Sequence, residues 1–112
     1  MKFAIPLAEG KLAIHFGHCA SFALIDVDAA GKTPMQRIDV EAPPHQPGLL
    51  PPWLKERGVS HIIAGGMGAR AQTLFTEQGI EVIVGAAVET PEELVADYLA
   101  GTLSVGGNAC DH

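Results

Sequence analysis

Long apolar runs separated by polar or glycine-containing breaks occupy the first forty residues of the chain, and they predict β-strands. Residues 2–7 and 21–27 are apolar almost throughout, as expected for strands that are covered on both faces of a sheet. Residues 35–41 instead alternate apolar and polar side chains, a pattern typical of a strand at the edge of a sheet. This part of the chain is therefore expected to supply three strands.

A proline-rich segment, residues 42–48, separates these strands from the first predicted helix. Its prolines exclude a helix or a central strand there, because proline lacks an N–H donor and fixes φ. A short helix is predicted over residues 49–57. Its two prolines come early, where a missing N–H matters least, and Gly58 is placed to end it.

The second half of the chain predicts a strand, a helix, another strand and another helix. The strands are expected at residues 60–64 and 80–84, and the first of these helices at 69–78. The last helix has the clearest local signal, since Thr90-Pro91-Glu92-Glu93 combines a capping box with proline at the first helical position. Gly101 is placed to end that helix.

Strands followed by alternating strands and helices predict a mixed sheet with helices packed on it, which is an α/β architecture. A length of 112 residues suits one domain with one core. We expect this domain to span residues 1–105. A short tail, residues 106–112, follows it and ends in Cys110-Asp111-His112.

Composition narrows the functions that the chain could have. The formal net charge is −6 at pH 7, which argues against a basic face for nucleic acid. The apolar runs of the chain stop well short of the roughly 20 residues of a membrane span. The first residues of the chain lack the features of a secretory signal. We therefore expect a cytoplasmic protein, with neither nucleic acid nor membrane as a partner. Its two cysteines are then expected as free thiols or metal ligands, although a Cys19–Cys110 disulfide stays open for oxidised protein.

Residue types that bind metals are concentrated in the predicted loops. His15-Phe16-Gly17-His18-Cys19 lies between two predicted strands, and its glycine lets the backbone approach a ligand closely. His45 lies between two prolines, and Cys110 and His112 are close enough in sequence to face one ion. Taken singly, these residues also fit solvated loop histidines, a buried cysteine and a frayed terminus. Taken together they predict a metal site with Cys19, His45, Cys110 and His112 as ligands.

A glycine-rich turn, Gly65-Gly66-Met67-Gly68-Ala69-Arg70, joins a predicted strand to a predicted helix. Such a turn presents N–H groups at the positive end of the helix dipole, which favours an anion, and Arg70 adds a positive charge. Met67 adds a soft thioether. The turn matches neither a Walker loop nor a complete dinucleotide fingerprint, so nucleotide binding is disfavoured. Close packing of strand and helix through the glycines is compatible with the anion role.

Residues spread over nearly the whole chain match the pattern of a known family. In chain order they are His15-Phe16-Gly17, Phe22, His45-x-Pro47-Gly48, Leu50-Pro51, Ile63-Ala64-Gly65-Gly66-Met67-Gly68-x-x-Ala71, Phe75, Gly79-Ile80-x-Val82, Gly85, Tyr98, Gly101-x-Leu103, Gly106 and Cys110-Asp111-His112. With these residues the chain resembles the dinitrogenase iron–molybdenum cofactor-binding family, small domains related to NifX and to the C-terminal part of NifB.

This resemblance implies a ribonuclease-H-like three-layer fold, with a mixed five-stranded sheet flanked by helices, but without nuclease activity. It also implies binding of a metal–sulfur cluster or its precursor that contains iron, molybdenum or both. Copper is a further candidate, because the related orange protein of sulfate reducers holds a molybdenum–copper–sulfide cluster without a covalent link. The family's cofactor-contacting histidine falls at His15 or His18. The Cys-Asp-His end is a feature of stand-alone members rather than of the nitrogenase carriers.

We therefore predict a non-catalytic binding or carrier protein in metallocofactor biosynthesis or trafficking, with cluster donor or acceptor proteins as its partners. The four predicted metal ligands would be surrounded by His15, Phe16, Gly17 and His18 and by Gly65, Gly66, Met67, Gly68 and Arg70 as cofactor-binding residues. A zinc- or copper-binding structural or regulatory domain with a Cys₂His₂ set is the alternative, and a nuclease that uses strand-end carboxylates such as Asp26 is disfavoured. The sequence leaves the oligomeric state open.

Overall fold

Six strands and three helices make up the computed structural model, which describes residues 1–8, 11–12, 21–27, 34–42, 49–86, 89–101 and 103. In chain order they are β1 (Lys2–Ala8), β2 (Lys11–Leu12), β3 (Ser21–Val27), β4 (Pro34–Glu41), α1 (Leu50–Glu56), β5 (His61–Ile63), α2 (Ala69–Glu77), β6 (Glu81–Ile83) and α3 (Pro91–Ala100).

Five of the strands form one sheet in the order β4-β3-β1-β5-β6, and the short β2 pairs with the end of β1. Strand β3 is antiparallel to β1 and β4, whereas β5 is parallel to both β1 and β6. Leu7 pairs with Ser21, and Ser21 pairs with Glu41. The C-terminal ends of β1, β4, β5 and β6 therefore lie together at one end of the sheet, called here the Leu7 end. The opposite end, where Lys2 pairs with Asp26, is the Lys2 end.

Helices cover both faces of this sheet. The face that carries Phe3 and Ile25 packs against Leu94 of α3, and the other face packs against α1 and α2. Alternate residues of a strand point to opposite faces, so the central strands must be apolar almost throughout to fill both layers of core. The predicted α/β fold with a mixed five-stranded sheet flanked by helices is confirmed. The more specific ribonuclease-H-like assignment stays a prediction.

The predicted elements are confirmed, with ends that differ by one or two residues. The predicted start of α3 is also confirmed, because the Thr90 side chain accepts a hydrogen bond from the Glu93 N–H. Gly101 ends the helix in the left-handed conformation, with a φ of 75°, which glycine adopts without steric strain. Strand β2 was not predicted, because a two-residue strand has no periodicity to detect.

Two other expectations concern the chain as a whole. Of the helices in the described ranges, none has the length and apolar character needed to cross a membrane. The predicted tail, residues 106–112, lies outside the described residues, and the domain boundary at residue 105 stays a prediction.

Candidate functional site

Residues 65–70, called here the glycine loop, join β5 to α2 at the Leu7 end of the sheet. The backbone bonds next to the loop fix its start: Ala64 N–H donates to the Ile83 carbonyl at 2.8 Å, and Gly85 N–H donates to the Gly65 carbonyl at 3.0 Å. Gly85 has a φ of 85°, a conformation that side chains with a Cβ rarely adopt. The glycine loop and the chain that follows β6 therefore lie side by side.

The first half of the glycine loop is buried and the second half is exposed. Gly65, Gly66 and Met67 are buried, whereas Gly68 and Arg70 are exposed. The Met67 side chain is completely buried in the core between the sheet and helices α1 and α2. The soft thioether noted in the sequence is therefore a core group, and Met67 as a whole has no exposed surface.

Helix α2 begins at the exposed half of the loop without a side-chain cap, although the Gln72 side-chain amide donates to the Met67 carbonyl at 2.9 Å. Its N-cap residue, Gly68, has extended backbone angles, makes no side-chain cap hydrogen bond, and is followed by a first turn with no acidic residue. Helix α3 differs, because Thr90 caps it and Glu92 and Glu93 lie in its first turn. Acidic first-turn residues compensate the positive end of a helix dipole. At α2 that positive end lies at exposed residues, and Arg70 belongs to the same exposed turn.

The remaining predicted site residues lie outside the described residues: His15, Phe16, Gly17, His18, Cys19, His45, Cys110 and His112. The described residues next to two of these segments lie at the Leu7 end, since Leu12 and Ser21 both pair with Leu7, and Glu41 pairs with Ser21. Leu103, by contrast, is bonded to the Asp97 carbonyl. Over the described ranges, His, Cys, Asp and Glu side chains form no group of three or more that could hold a metal ion.

A polar cluster at the Lys2 end was not predicted from the sequence. Ser60 Oγ lies 2.7 Å from His61 Nδ1, His61 Nε2 lies 3.3 Å from Glu81 Oε2, and the Tyr98 hydroxyl donates to the same carboxylate oxygen at 2.6 Å. The Lys2 N–H donates to Ser60 Oγ at 3.1 Å. Strand pairing brings His61 opposite Glu81. Because that pairing depends on the order of strands in the sheet, the sequence holds no local signal for the cluster.

The environment of this cluster favours neutral side chains at His61 and Tyr98. Burial lowers the pKa of His61, and the nearby Glu81 carboxylate opposes this effect only in part. The hydrogen bond to Glu81, together with burial, raises the pKa of Tyr98 to about 12. A neutral His61 with its proton on Nε2 satisfies both contacts, since Nδ1 then accepts from Ser60 and Nε2–H points to Glu81.

A second unpredicted network joins the edge strand β4 to α3. The Arg37 guanidinium donates to both carboxylate oxygens of Asp39, at 2.8 and 3.1 Å, and to both oxygens of Glu92, at 2.8 and 2.6 Å. These bonds raise the pKa of Arg37 and lower that of Glu92. All three side chains are partly exposed, so the network contributes orientation more than stability.

Known proteins share this chain's sequence pattern and fold. A family model described as "Dinitrogenase iron-molybdenum cofactor" matches residues 1–101. The uncharacterized protein MJ0580 of Methanocaldococcus jannaschii is 26% identical over 106 residues, which cover 92% of this chain and 89% of that protein. Among solved structures, that of PH0822 is similar with a TM-score of 0.85 and 27% identity over 94% of both chains. The apo form of the orange protein from Desulfovibrio gigas has the same fold, with a TM-score of 0.71 and 23% identity over 96% of this chain and 93% of that one.

Proposed function

Because the chain belongs to the dinitrogenase iron–molybdenum cofactor family, we propose that it is a non-catalytic carrier of a metal–sulfur cluster or its precursor. The family match over residues 1–101 is the observation on which this proposal chiefly depends. The cargo contains iron, molybdenum or both, with copper as a further candidate metal. The carrier acts in the biosynthesis or trafficking of a metallocofactor, between cluster donor and acceptor proteins.

The electrostatics of the glycine loop support an anionic cargo. Metal–sulfide clusters are anionic, and the uncapped N-terminus of α2 offers N–H groups and a positive dipole end. Arg70 adds a full positive charge in the exposed first turn of the same helix. A protein with a net charge of −6 can bind an anion in this way, because the local field decides the energy at contact distance. We assign Gly65, Gly66, Met67, Gly68 and Arg70 to the cargo-binding loop, in which Gly68 and Arg70 are the exposed residues.

Ligation of the metal is assigned to residues that the structure does not describe. Cys19 and His45 belong to segments whose described neighbours lie at the Leu7 end, the end of the sheet that also carries the glycine loop. Thiolate and imidazole are suitable ligands for iron and copper, including the iron of iron–sulfur clusters. His15, Phe16, Gly17 and His18 would then surround the cargo.

Cys110 and His112 must reach the same end from Leu103 for this assignment to hold. Seven residues of β1 span the sheet from Lys2 to Ala8, and Cys110 is seven positions beyond Leu103. An extended tail is therefore long enough to join the two ends of the sheet. Participation of the tail in ligation is a proposal that the Cys110 variant below tests.

A carrier role also fits the polar cluster at the Lys2 end, which contains serine, histidine and glutamate. Ser60 Oγ accepts from the Lys2 N–H and lies 3.2 Å from the Lys2 carbonyl, so the hydroxyl is occupied by backbone as well as by His61. The cluster lies at the opposite end of the sheet from the glycine loop. We assign it to structure rather than to nucleophilic catalysis. The zinc or copper alternative has no supporting observation in the described ranges or in the comparisons.

The test begins with protein purified without oxygen and without an affinity tag. We expect a visible absorption spectrum together with iron, molybdenum or copper and acid-labile sulfide, or, for empty protein, binding of tetrathiomolybdate in a spectrophotometric titration. Stoichiometric zinc in a colourless protein that does not bind tetrathiomolybdate would contradict the proposal. Cys19→Ser and Cys110→Ser are each expected to weaken binding, and unchanged affinity in either variant removes that residue from the ligand set.

Arg70→Gln tests the anion contact separately from ligation. We expect the tetrathiomolybdate affinity to fall by about three- to tenfold, the effect of one charge beside a helix N-terminus. Lys55→Gln is the matched control, because it removes one positive charge from an exposed residue in the last turn of α1, far from the glycine loop. An equal loss of tetrathiomolybdate affinity in the two variants would mean that binding depends on the net charge of the protein and not on the position of Arg70.

A further inference from the structure

The outer edge of β4 combines an exposed apolar residue with charges of both signs. In the described part of the chain, β4 pairs with β3 alone and is the end strand of the sheet. Ile38, at its centre, is 46% exposed, and Met1 is the one other large hydrophobic residue there with comparable exposure. Leu24, the residue of β3 that pairs with Ile38, is only 2% exposed. An edge strand of eight residues with an apolar centre is a template for pairing with another strand.

The sequence of β4 is complementary to itself in one antiparallel register. If Ile38 lies opposite Ile38 of a second copy, Arg37 of each chain lies opposite Asp39 of the other. Directly opposite side chains in an antiparallel pair are neighbours on one face, so each guanidinium meets a carboxylate. The two isoleucines then cover each other on the other face.

Neighbouring registers that keep the same faces together are disfavoured by charge. A shift of two residues in one direction puts Arg37 opposite Arg37, and a shift in the other direction puts Asp39 opposite Asp39. Like charges directly opposite in a sheet are destabilising. The Arg37 and Asp39 side chains already bond to each other on the face of the sheet that α3 covers, and Arg37 also bonds to Glu92. In the dimer, Asp39 of the second copy would share the Arg37 guanidinium with these two carboxylates.

We propose that β4 is a self-association edge, at which two copies of this chain pair antiparallel around Ile38 to form one continuous sheet with twofold symmetry. The interface is small, so the dimer is weak and depends on concentration. The Leu7 and Lys2 ends of the sheet are not part of the proposed interface. The inference is therefore independent of the proposed cargo.

The first test is the oligomeric state measured by sedimentation velocity. We expect the mean mass to rise from that of one chain toward twice that value between about 10 μM and 1 mM protein, the range in which small interfaces associate. Arg37→Asp and Asp39→Arg each place four like charges around the twofold axis, and each is expected to weaken dimerisation by about tenfold. A wild-type mass that stays at one chain over this range would overturn the proposal.

Mixing the two charge variants separates pairing from damage to the fold. In a heterodimer of Arg37→Asp with Asp39→Arg, opposite charges again face each other across the axis, so the mixture should dimerise more tightly than either variant alone. Glu56→Arg mixed with Arg57→Asp is the control for general charge attraction, since both residues are exposed at the end of α1. Failure of the first mixture to associate more than the control mixture contradicts the proposed pairing.

Cross-linking tests the register. In a chain that also has Cys19→Ser and Cys110→Ser, Ile38→Cys places two thiols opposite each other, within the Cα–Cα range of a disulfide. Gln36→Cys is the matched control on the same face, because residue 36 of one chain lies opposite residue 40 of the other. Its two thiols would be about 13 Å apart, beyond disulfide reach. We expect rapid oxidation to a dimer for Ile38→Cys alone, and equal rates for the two variants would refute the register.

Discussion

The Tyr98 hydroxyl donates a hydrogen bond of 2.6 Å to Glu81 Oε2, and this bond ties helix α3 to the edge strand β6. The Tyr98 ring lies edge-on to Phe3, with ring centroids 5.2 Å apart, and Phe3 is completely buried. The aromatic ring thus completes the core on the α3 face while its hydroxyl reaches the exposed Glu81 carboxylate. Removing the hydroxyl while keeping the ring therefore measures the hydrogen bond to Glu81 apart from the ring packing.

Tyr98→Phe is expected to lower the free energy of unfolding by about 1 kcal/mol, because the hydrogen bond to Glu81 is lost and the ring packing is kept. Urea denaturation of Tyr98→Phe, Glu81→Gln and the double variant gives the coupling between the two side chains. We expect the effect of Tyr98→Phe to shrink when residue 81 is glutamine. Additive losses would mean that the contact contributes nothing to stability.

Stability is expected to fall as the pH decreases through the ordinary range of histidine, because burial lowers the pKa of His61 in the folded state. In the unfolded chain His61 binds its proton near its ordinary pKa of 6.5, whereas in the folded state it does so only at lower pH. Protons therefore favour the unfolded chain as the pH falls below 6.5, and the contribution of neutral His61 to stability is fully present above that pH. The other charged groups that act on His61 are the Glu81 carboxylate, which opposes the shift, and the N-terminal ammonium, which adds to it.

Urea midpoints at about pH 7.5 and about pH 5.5 measure this effect. The fall in the urea midpoint between the two pH values should be smaller for His61→Gln than for the parent chain. The other four histidines are common to both proteins and cancel in the comparison. An unchanged pH dependence in His61→Gln would assign the titration to one of those residues.

The helices and strands were predictable because their signals are local. The apolar strands β1 and β3, the alternating β4 and the capping box at Thr90 each depend on neighbouring residues in the sequence, and each was confirmed. The two polar networks were not predictable, because His61 meets Glu81, and Arg37 meets Glu92, only through the order of strands and the packing of α3. The interpretation of Met67 shows a different limit: residue type indicated a soft ligand, but the direction of a side chain in a glycine-rich turn is set by packing. All four predicted metal ligands, Cys19, His45, Cys110 and His112, lie outside the described residues and stay predictions.

Thr90→Ala is expected to lower the free energy of unfolding by about 1 kcal/mol, because Thr90 Oγ1 accepts from the Glu93 N–H at the start of α3. Thr90→Ser retains the hydroxyl acceptor, so its free energy of unfolding should fall much less. Urea denaturation of both variants makes the comparison. Equal losses for alanine and serine would show that the methyl group of Thr90, and not the cap, provides the stability.

Substitutions of Met67 distinguish a packing role of its side chain from a role in cargo ligation. Met67→Leu keeps the volume of a completely buried side chain and should change the free energy of unfolding by less than about 1.5 kcal/mol. Met67→Ala leaves a cavity and should lose about 2–5 kcal/mol. Because the thioether lies in the core, Met67→Leu is expected to bind tetrathiomolybdate as tightly as the parent chain. Weaker binding by a stable Met67→Leu protein would make the sulfur a ligand.

Gly68 offers the sharpest test of the proposed anion site, because stability and cargo binding should respond in opposite directions there. A Cβ at Gly68 would have no atom within 4 Å, and its φ of −63° suits any residue. Gly68→Asp supplies the missing N-cap acceptor and should raise the free energy of unfolding by a few tenths of a kcal/mol. The same carboxylate cancels the positive potential of the α2 N-terminus and repels an anionic cargo.

Gly68→Ser is the matched control, since it supplies a cap of similar strength without the negative charge. We expect both variants to be at least as stable as the parent chain in urea, and the aspartate variant alone to lose tetrathiomolybdate affinity, by about tenfold or more. A loss of affinity that is equal in the two variants would indicate that the hydroxyl and carboxylate merely block access to the N–H groups. Full affinity in Gly68→Asp would move the cargo away from the α2 N-terminus, because an anion held there cannot be indifferent to a carboxylate at the N-cap.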